Sequence, residues 1–445
     1  MKQFLITGWQ ILLCVSFSTA QSTKHIVLIS IDGFRPDFYL DSSWPAPNMQ
    51  QLKKVGMYAK KVKSVFPSFT YPSHVAMLTG ALPARSGIYY NTPFEPRGSS
   101  GKWNWFTKDI KVPTIWMRLK ATGMTSAAIE WPVSVGEEIT WNIPEIWDTR
   151  YPEDRISETR KYATKGLIEE IELNATGKLD GENMNEEYQS LDENTGRMAA
   201  YILKTYKPNF LAVHFAGVDG AEHEQGRDGN KVRMAVATAD RAIGNILETI
   251  DKNNLKDSVT VIVIGDHGFS NITQVLQPNV WLKQAELMGV DYNWNVKFQP
   301  AGGSAFLYLQ NSKDIQTLNK VKWLLEQQPT SLKKLFAVYD RKKLDEMGVD
   351  SGAVLALAAQ PGIVFGGSTD GNVLTPIKSG GGHHGYEPNQ ADMFTGFIAY
   401  GPGITKGGKI EQMSVKDAAP LIATLLGIEF KTPDGVLVPG IATGK

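Results

Sequence analysis

The chain has 445 residues, of which 42% are hydrophobic and 21% are charged. This is the composition of an ordinary globular protein with enough apolar material for a large core. Lysine plus arginine and aspartate plus glutamate each total 46, so the formal net charge is zero. The balance lacks the basic excess that is typical of nucleic-acid-binding proteins, and we expect no stable complex with nucleic acid.

Residues 1–20 have the features of a secretory signal peptide. Lys2 gives a positive start, a mostly apolar stretch follows, and small residues come before the predicted cleavage point near Ala20. The apolar run is too short for a comfortable membrane span, although an uncleaved anchor is the alternative. We therefore predict a periplasmic or secreted mature chain. It would contain no disulfide, because Cys14 is the only cysteine.

Apolar runs and helical periodicities alternate along the chain. The predicted strands are 25–31, 58–65, 125–129, 209–216, 259–265 and 393–400, and the predicted helices are 48–56, 73–80, 114–123, 233–253 and 415–426. This order predicts an α/β fold with a doubly wound, mostly parallel sheet in one catalytic domain, 21–445. Two segments interrupt the alternation. Residues 152–208 are predicted as two helices, and residues 275–375 as an inserted smaller subdomain.

Aspartate and histidine side chains stand at the ends of several of these runs. Asp32 follows 25–31, Asp219 and His223 follow 209–216, Asp266 and His267 follow 259–265, and His383 and His384 lie in a glycine-rich loop before 393–400. Ligands of open α/β sheets bind at the carboxyl ends of the strands, so these clusters can converge on one site. Three aspartates and three histidines suit zinc and suffice for two metal ions. Adjacent metal pairs usually perform phosphoryl chemistry.

Each of these motifs is weak when it is taken alone. Asp32-Gly33 is more often a simple turn, and a pair such as Asp219 and His223 is more often a solvated helix face. His383-His384 alone is consistent with a polar loop. Their joint occurrence after successive apolar runs is what favours a metal site.

Thr70 and Asn91 each have a structural and a chemical interpretation. Thr70 stands where a helix is predicted to begin, and threonine is a common helix N-cap. The same position lies in positive potential, which favours an alkoxide nucleophile. Asn91 is consistent with a turn residue, or with an amide that donates to a phosphoryl oxygen as negative charge develops.

Several motifs together resemble the nucleotide pyrophosphatase/phosphodiesterase family of the alkaline phosphatase superfamily. They are Phe66-Pro-Ser-Phe-Thr-Tyr-Pro-Ser-His74, Leu78-Thr-Gly80, Gly87-Ile-Tyr-Tyr-Asn91, Ser30-Ile-Asp-Gly33, Trp131-Pro132, Val218-Asp219 with His223, Asp266-His-Gly268 and His384-Gly385. The motifs occur in the expected order and span roughly residues 25–430.

The resemblance implies an alkaline-phosphatase-like core with two Zn²⁺ ions and a threonine nucleophile. It assigns one zinc to Asp32, Thr70, Asp266 and His267, and the other to Asp219, His223 and His384. Thr70 is the implied nucleophile, and Asn91 is the implied partner of a phosphoryl oxygen. Tyr71 stands where family members often carry phenylalanine and is expected to stack on a base. Trp147 and Tyr151 fall near the expected position of a second stacking aromatic.

Three functions remain open from the sequence. The leading hypothesis is a phosphodiesterase or nucleotide pyrophosphatase that acts on a small-molecule nucleotide or other diester through a covalent phosphothreonine. The second is a phosphate monoesterase or phosphonate hydrolase on the same metal site, for which Arg150 and Arg155 are the nearest candidate cations. The third is a non-catalytic zinc-binding protein. Structural zinc sites are usually rich in cysteine, which the mature chain would lack. The oligomeric state is not predicted.

Overall fold

The computed structural model describes residues 23–96, 100–185, 189–290 and 293–443. The predicted signal peptide therefore lies outside the described residues. Within the described ranges, no helix is both long enough and apolar enough to cross a bilayer.

The described residues form strands and helices that alternate along most of the chain. The strands are β1 His25–Ile31, β2 Met57–Lys63, β3 Ser126–Ile129, β4 Trp141–Ile143, β5 Phe210–Phe215, β6 Val259–Gly265, β7 Ser270–Leu276, β8 Gly289–Val290, β9 Asn293–Trp294, β10 Val296–Ala301, β11 Ser304–Leu309, β12 Phe336–Asp340, β13 Ala353–Ala359, β14 Gly362–Phe365, β15 Leu374–Pro376, β16 Gly382–His383, β17 Thr395–Tyr400, β18 Gly408–Ile410 and β19 Met413–Ser414. The α-helices are α1 Asp37–Leu40, α2 Pro47–Val55, α3 Thr70–Thr79, α4 Pro83–Ser86, α5 Ile115–Ala121, α6 Ile156–Tyr162, α7 Leu167–Ile171, α8 Ser190–Tyr206, α9 Gly217–Gln225, α10 Asn230–Lys252, α11 Pro278–Gln284, α12 Ile315–Glu326, α13 Thr330–Lys333, α14 Arg341–Glu346 and α15 Ala418–Leu426.

The main sheet has nine strands in the order β18-β2-β17-β6-β1-β5-β3-β4, with β19 also paired to β2. Strand β17 is antiparallel to both of its neighbours, and the other pairings are parallel. At the centre, Ile31 pairs with Phe215 of β5 on one side and with Gly265 of β6 on the other. Three neighbouring strands therefore end at the same level, and the residues that follow them lie side by side.

Helices cover both faces of this sheet, because alternate residues of the central strands point to opposite sides. Val27, Ile29 and Ile31 belong to the core that includes α8 and α10. Ile26 and Leu28 belong to the opposite core, which includes α5 and α15. The predicted doubly wound α/β fold is confirmed.

Residues between β6 and β17 build a smaller unit with its own core. It contains an antiparallel sheet in the order β10-β11-β13-β12 and a short sheet in the order β14-β7-β15. Leu276, Phe298 and Leu307 lie in its core. The segment 152–208 contains α6, α7 and α8 instead of the two predicted helices, because Gly166, at φ 79°, separates α6 from α7. The predicted bounds of the two segments, 152–208 and 275–375, stay a prediction.

Asp240 of α10 holds the N-terminus of α2 through hydrogen bonds. Its carboxylate accepts from the backbone N–H groups of Asn48 at 3.1 Å and Met49 at 2.8 Å, in the first turn of α2. We expect Asp240→Ala to lower the free energy of unfolding by about 1–3 kcal/mol, because one buried and one partly buried donor lose their acceptor. Urea denaturation measures the change.

The matched control is Asp251→Ala on the same helix. Asp251 is exposed and forms an ion pair with Lys256 at the surface, so we expect a change within about 0.5 kcal/mol. Equal effects of the two substitutions would contradict the capping role of Asp240.

Candidate active site

Six aspartate and histidine side chains meet at the carboxyl ends of β1, β5 and β6. Asp32 follows β1, and Asp266 and His267 follow β6. The Nε2 atom of His267 lies 3.2 Å from Asp32 Oδ1, 3.2 Å from Asp266 Oδ2 and 4.0 Å from Asp219 Oδ1. The first of the two metal-ligand sets implied by the resemblance is therefore brought together in space.

The second set is built on α9 and on the loop after β16. Asp219 and His223 are one turn apart on α9, with 3.4 Å between Asp219 Oδ2 and His223 Nε2. His384 Nε2 lies 3.7 Å from Asp219 Oδ1, and the His384 ring stacks on the ring of His267 with centroids 3.8 Å apart. Asp219 therefore lies between the two sets. His383 is turned differently, since its Nδ1 accepts from the backbone N–H of His384 at 3.0 Å.

The three histidines of the cluster are oriented by backbone carbonyls. Their Nδ1 atoms lie 3.2 Å from Gly382 O for His223, 3.2 Å from Gly268 O for His267 and 2.9 Å from Ser68 O for His384. Each Nδ1–H can donate there, which leaves Nε2 with a lone pair that faces the carboxylates. Burial also lowers the pKa of His267 and His384. Neutral imidazoles held in this way are typical of metal ligands.

The carboxylates of the cluster face histidines and one another, and Asp266 Oδ1 also accepts from the backbone N–H groups of Gly33 at 3.1 Å and His267 at 2.9 Å. Burial, and then repulsion from Asp266 and Asp219, raises the pKa of Asp32 well above its ordinary value. Burial raises the pKa of Asp266 to about 7. Asp32 Oδ1 and Asp266 Oδ2 are buried and accept no hydrogen bond within the described part of the chain. Divalent cations fit this arrangement, because they satisfy the orphaned oxygens and offset the repulsion, and a mixed N/O donor set suits zinc.

Thr70 is the first residue of α3. Its hydroxyl Oγ1 lies 3.4 Å from His267 Nε2, and its side chain is buried. Every residue of this ten-residue helix is buried. The positive end of the helix dipole therefore acts on the Thr70 hydroxyl with little screening by water.

Asn91 lies beside the start of the same helix. Its side-chain oxygen accepts from the backbone N–H of Tyr71 at 3.0 Å, and its backbone carbonyl accepts from the N–H of Asn104 at 2.9 Å. With the amide oxygen engaged in this way, the amide NH₂ is the group that remains for a ligand.

The structure corrects two of the three predicted aromatic contacts. Tyr71 has no exposed surface and packs against Trp103; a ring enclosed on all sides cannot stack on a base. Trp147 is also buried, between Trp103 and Trp105, with the guanidinium of Arg155 3.9 Å from its ring centroid. Both assignments as stacking residues are wrong, because α3 and the Trp147 segment are covered by the same aromatic cluster. Tyr151 is 58% exposed, and its role stays a prediction.

Two buried histidines next to the cluster had no role in the sequence interpretation. His214 Nε2 lies 3.2 Å from Asp32 Oδ2, on the side away from His267. His74 Nδ1 lies 2.8 Å from the carbonyl of Thr70, and the His74 and His214 rings are 4.5 Å apart. His214 is a polar residue in an otherwise apolar strand, and that was the signal available in the sequence.

Comparison with known proteins identifies the class of protein. The family model of type I phosphodiesterase / nucleotide pyrophosphatase matches residues 26–387. Because the match covers most of the chain, the chain belongs to this family, as the sequence motifs predicted.

Individual relatives are distant but cover nearly the whole chain. The chain is 23% identical over 434 residues to the bis(5'-adenosyl)-triphosphatase enpp4 of Xenopus laevis, covering 94% of this chain and 81% of that protein. It is 24% identical over 456 residues to the venom phosphodiesterase of Macrovipera lebetinus, covering 95% of this chain. The chain spans only 46% of the length of that venom enzyme.

Solved structures share the fold. Human ectonucleotide pyrophosphatase/phosphodiesterase 5 superposes with a TM-score of 0.67 at 21% identity, covering 93% of this chain and 97% of that chain. The murine protein, solved as an inactive threonine-to-alanine variant in complex with AMP, superposes with the same TM-score of 0.67 at 18% identity and the same coverage. The predicted alkaline-phosphatase-like core with an inserted subdomain is confirmed.

Asp192 of α8 is a buried carboxyl group that holds the start of α9, the helix that carries Asp219 and His223. Its Oδ1 accepts from the backbone N–H groups of Ala216 at 3.0 Å and Gly217 at 3.3 Å, where α9 begins. Burial raises the pKa of Asp192 from 3.8 to about 7. Between these values the folded chain holds a proton that the unfolded chain has lost. Protonated Asp192 therefore contributes to the free energy of unfolding at low pH, and this contribution is lost as the pH rises through about 7.

We expect Asp192→Asn, which is uncharged at every pH, to gain stability relative to the parent chain between about pH 5.5 and about pH 8. Urea denaturation of both metal-free proteins across this range measures the difference in free energy of unfolding. A difference that does not change with pH would show that Asp192 is already ionised in the folded chain at the lower pH.

Proposed function

We propose that the chain is a two-zinc phosphodiesterase and nucleotide pyrophosphatase that cleaves phosphodiester or pyrophosphate bonds through a covalent phosphothreonine. The observation that carries the proposal is the position of the Thr70 hydroxyl. It stands at the start of a buried helix and 3.4 Å from His267, within a cluster of carboxylates and imidazoles that fits divalent cations. A nucleophile and a metal-binding cluster in direct contact are what phosphoryl transfer requires.

The two implied ligand sets agree with the distances in the cluster. Asp32, Thr70, Asp266 and His267 would hold one zinc, and Asp219, His223 and His384 would hold the other. Bound zinc supplies charge neutralisation at the entering and leaving oxygens and lowers the pKa of the nucleophilic hydroxyl. The backbone carbonyls that engage the Nδ1 atoms keep the three imidazoles in the orientation that binding needs.

Thr70 performs the bond-making step. Its Oγ1 gives the hydroxyl proton to solvent and attacks phosphorus; the Oγ1–P bond forms as the bond from phosphorus to the leaving oxygen breaks on the opposite side, and the leaving oxygen takes up a proton from solvent. The oxygen of a water molecule then bonds to phosphorus as the Oγ1–P bond breaks; one proton of the water returns to Oγ1, and the phosphorylated product is released. Asn91 would donate from its NH₂ to a non-bridging oxygen in both steps, since its own oxygen accepts from the backbone N–H of Tyr71.

The relatives support a nucleotide as the substrate and a location outside the cytoplasm. The frog relative is named for the hydrolysis of a bis-adenosyl triphosphate, and the murine structure contains AMP. The names ectonucleotide pyrophosphatase and venom phosphodiesterase describe proteins that act outside cells. We propose a secreted or periplasmic location for this chain as well, with cleavage near Ala20 still a prediction.

The charges near the cluster favour a diester over a monoester. The groups that act on the Asp32 carboxyl through their charge are other carboxylates, namely Asp266, Asp219 and Glu145. Arg150, a candidate cation for a monoester, is exposed and bound to Asp148. A monoester carries about one more negative charge than a diester near neutral pH and gains less from this site. A purely zinc-binding role leaves the position of Thr70 unexplained.

Replacement of the nucleophile tests the covalent mechanism. We expect Thr70→Ala to lower kcat by about 10³-fold or more while the fold is kept, because removal of a nucleophile abolishes the covalent route. Thr70→Ser should keep part of the activity, since it retains a hydroxyl. Zinc-supplemented turnover of a nitrophenyl phosphodiester measures both.

Thr79→Ala is the control, because Thr79 belongs to the same helix and its hydroxyl donates to Val75 O at the far end. Near-normal turnover by Thr70→Ala with metal bound would contradict a phosphothreonine intermediate.

Substrate charge tests the diester assignment. We expect kcat/KM for a nitrophenyl phosphodiester to exceed the values for the corresponding monoester and phosphonate, because the carboxylates around Asp32 disfavour a further negative charge on the substrate. Steady-state kinetics on the purified zinc protein with the three compounds provide the comparison. A higher kcat/KM for the monoester or the phosphonate would assign the chain to the second hypothesis instead.

A further inference from the structure

A groove of about 1060 Å³ lies between α8, α9 and α10, and Asp219 and His223 form part of its wall. The side chains of these two residues are 20% and 36% exposed, whereas Asp32, Asp266, His267 and His384 are buried. The metal-binding cluster therefore opens to solvent at the two residues that line this groove.

Small residues on α9 keep the groove open. Gly217, Gly220 and Ala221 line it, so the helix presents backbone and a methyl group where larger side chains would project. A Cβ atom at Gly217 would lie only 2.9 Å from Asp192 Oδ2, so a larger residue there would displace the Asp192 side chain. The groove therefore depends on the small residues of α9.

The contacts in the cluster indicate which part of a substrate reaches the groove. Thr70 Oγ1 is next to His267, His267 is next to Asp219, and Asp219 is next to His223. The nucleophile and the groove thus lie at opposite ends of this series. In-line displacement expels the leaving oxygen on the side away from the nucleophile, and we assign that side to His223 and the groove because they are the farthest from Thr70 in this series of contacts.

The charges of the groove select among leaving groups. Among its lining residues, Asp219 belongs to the metal-binding cluster and Asp192 accepts from the backbone of α9, which leaves Glu224 and Lys231 as the charged groups that face a bound molecule. Lys231 Nζ is already 2.5 Å from Glu224 Oε2. A departing phosphate, as released from a pyrophosphate, would carry negative charge into a lining with no unengaged cation.

The other lining groups suit an uncharged molecule that contains hydroxyl groups. Thr238 Oγ1 donates to Gln189 Oε1 at 2.9 Å, and the hydroxyl oxygen and the amide NH₂ are polar groups without net charge. Met234, on the adjacent turn of α10, is 53% exposed and adds apolar contact surface. A few polar groups beside apolar surface are what small-molecule subsites contain.

We propose that this groove binds the leaving group of the substrate and that the leaving group is an uncharged, hydroxyl-bearing alcohol of sugar or nucleoside type. The proposal rests on the proposed function and narrows it to phosphodiesters of such alcohols in preference to pyrophosphates.

Three substrates that transfer the same thymidylyl group to Thr70 separate the possibilities. They are the dinucleoside monophosphate of thymidine, the methyl ester of thymidine monophosphate, and the pyrophosphate-linked dimer of thymidine monophosphate. Their leaving groups are a nucleoside, methanol and a nucleotide. All are assayed with the zinc-loaded mature chain. If none of the three is turned over, the proposed function fails, whereas the groove is tested by ratios among substrates that are turned over.

Met234→Trp tests occupancy of the groove. We expect the ratio of kcat/KM for the dinucleoside monophosphate to that for the methyl ester to fall about tenfold or more, because the indole fills space that only the nucleoside needs. Met117→Trp is the matched control, since Met117 is 51% exposed and lies on α5, on the other face of the sheet. It should leave the ratio unchanged. An unchanged ratio in Met234→Trp would overturn the groove as the leaving-group site.

Glu224→Lys tests the class of leaving group. It replaces a carboxylate by an amine and releases Lys231, so we expect kcat/KM for the pyrophosphate to rise about tenfold relative to the dinucleoside monophosphate, with the gain reduced by salt. Glu248→Lys is the matched control, because Glu248 is also exposed and paired, to Lys252 on the same helix. A higher kcat/KM for the pyrophosphate than for the dinucleoside monophosphate in the parent chain would overturn the alcohol assignment, and so would a ratio that Glu224→Lys leaves unchanged.

Discussion

Repulsion among three carboxylates is the constraint on which the rest of this structure depends. Asp32, Asp219 and Asp266 approach one His267 nitrogen to within 3.2–4.0 Å, and two of the three are fully enclosed by protein. Isolated buried charges of one sign are strongly unfavourable, so the metal-free cluster holds protons that the same groups would lose in water. Divalent cations remove this conflict, and the site is stable as an ionised cluster only when they are bound.

The fold imposes this proximity through the sheet. The pairing of Ile31 with Phe215 and with Gly265 fixes the heights at which β1, β5 and β6 end, and the ligands follow within a few residues. Backbone carbonyls from three separate segments then set the histidine orientations. Because these carbonyls belong to ordered backbone, the site is preorganised before a metal or substrate arrives, which is how binding energy is kept for the reaction.

Much of the fold and of the cluster could be predicted from the sequence. Apolar runs such as 259–265 mark buried parallel strands, and the rule that sites form at strand ends brings Asp32, Asp219 and Asp266 together without coordinates. The tertiary contacts of individual side chains could not be predicted in this way. Tyr71 follows Thr70, yet it is buried by Trp103 from a distant loop, and no local pattern encodes that contact. The same holds for His214, whose contact with Asp32 joins residues that are far apart in the sequence.

We propose that the cluster holds two metal ions in two separate ligand sets. Anomalous diffraction at the zinc absorption edge, from crystals of the mature chain saturated with zinc, locates such ions. We expect two peaks, one in contact with Asp32, Asp266 and His267, and one in contact with Asp219, His223 and His384. A single peak shared by all six side chains, or no peak among them, would contradict it.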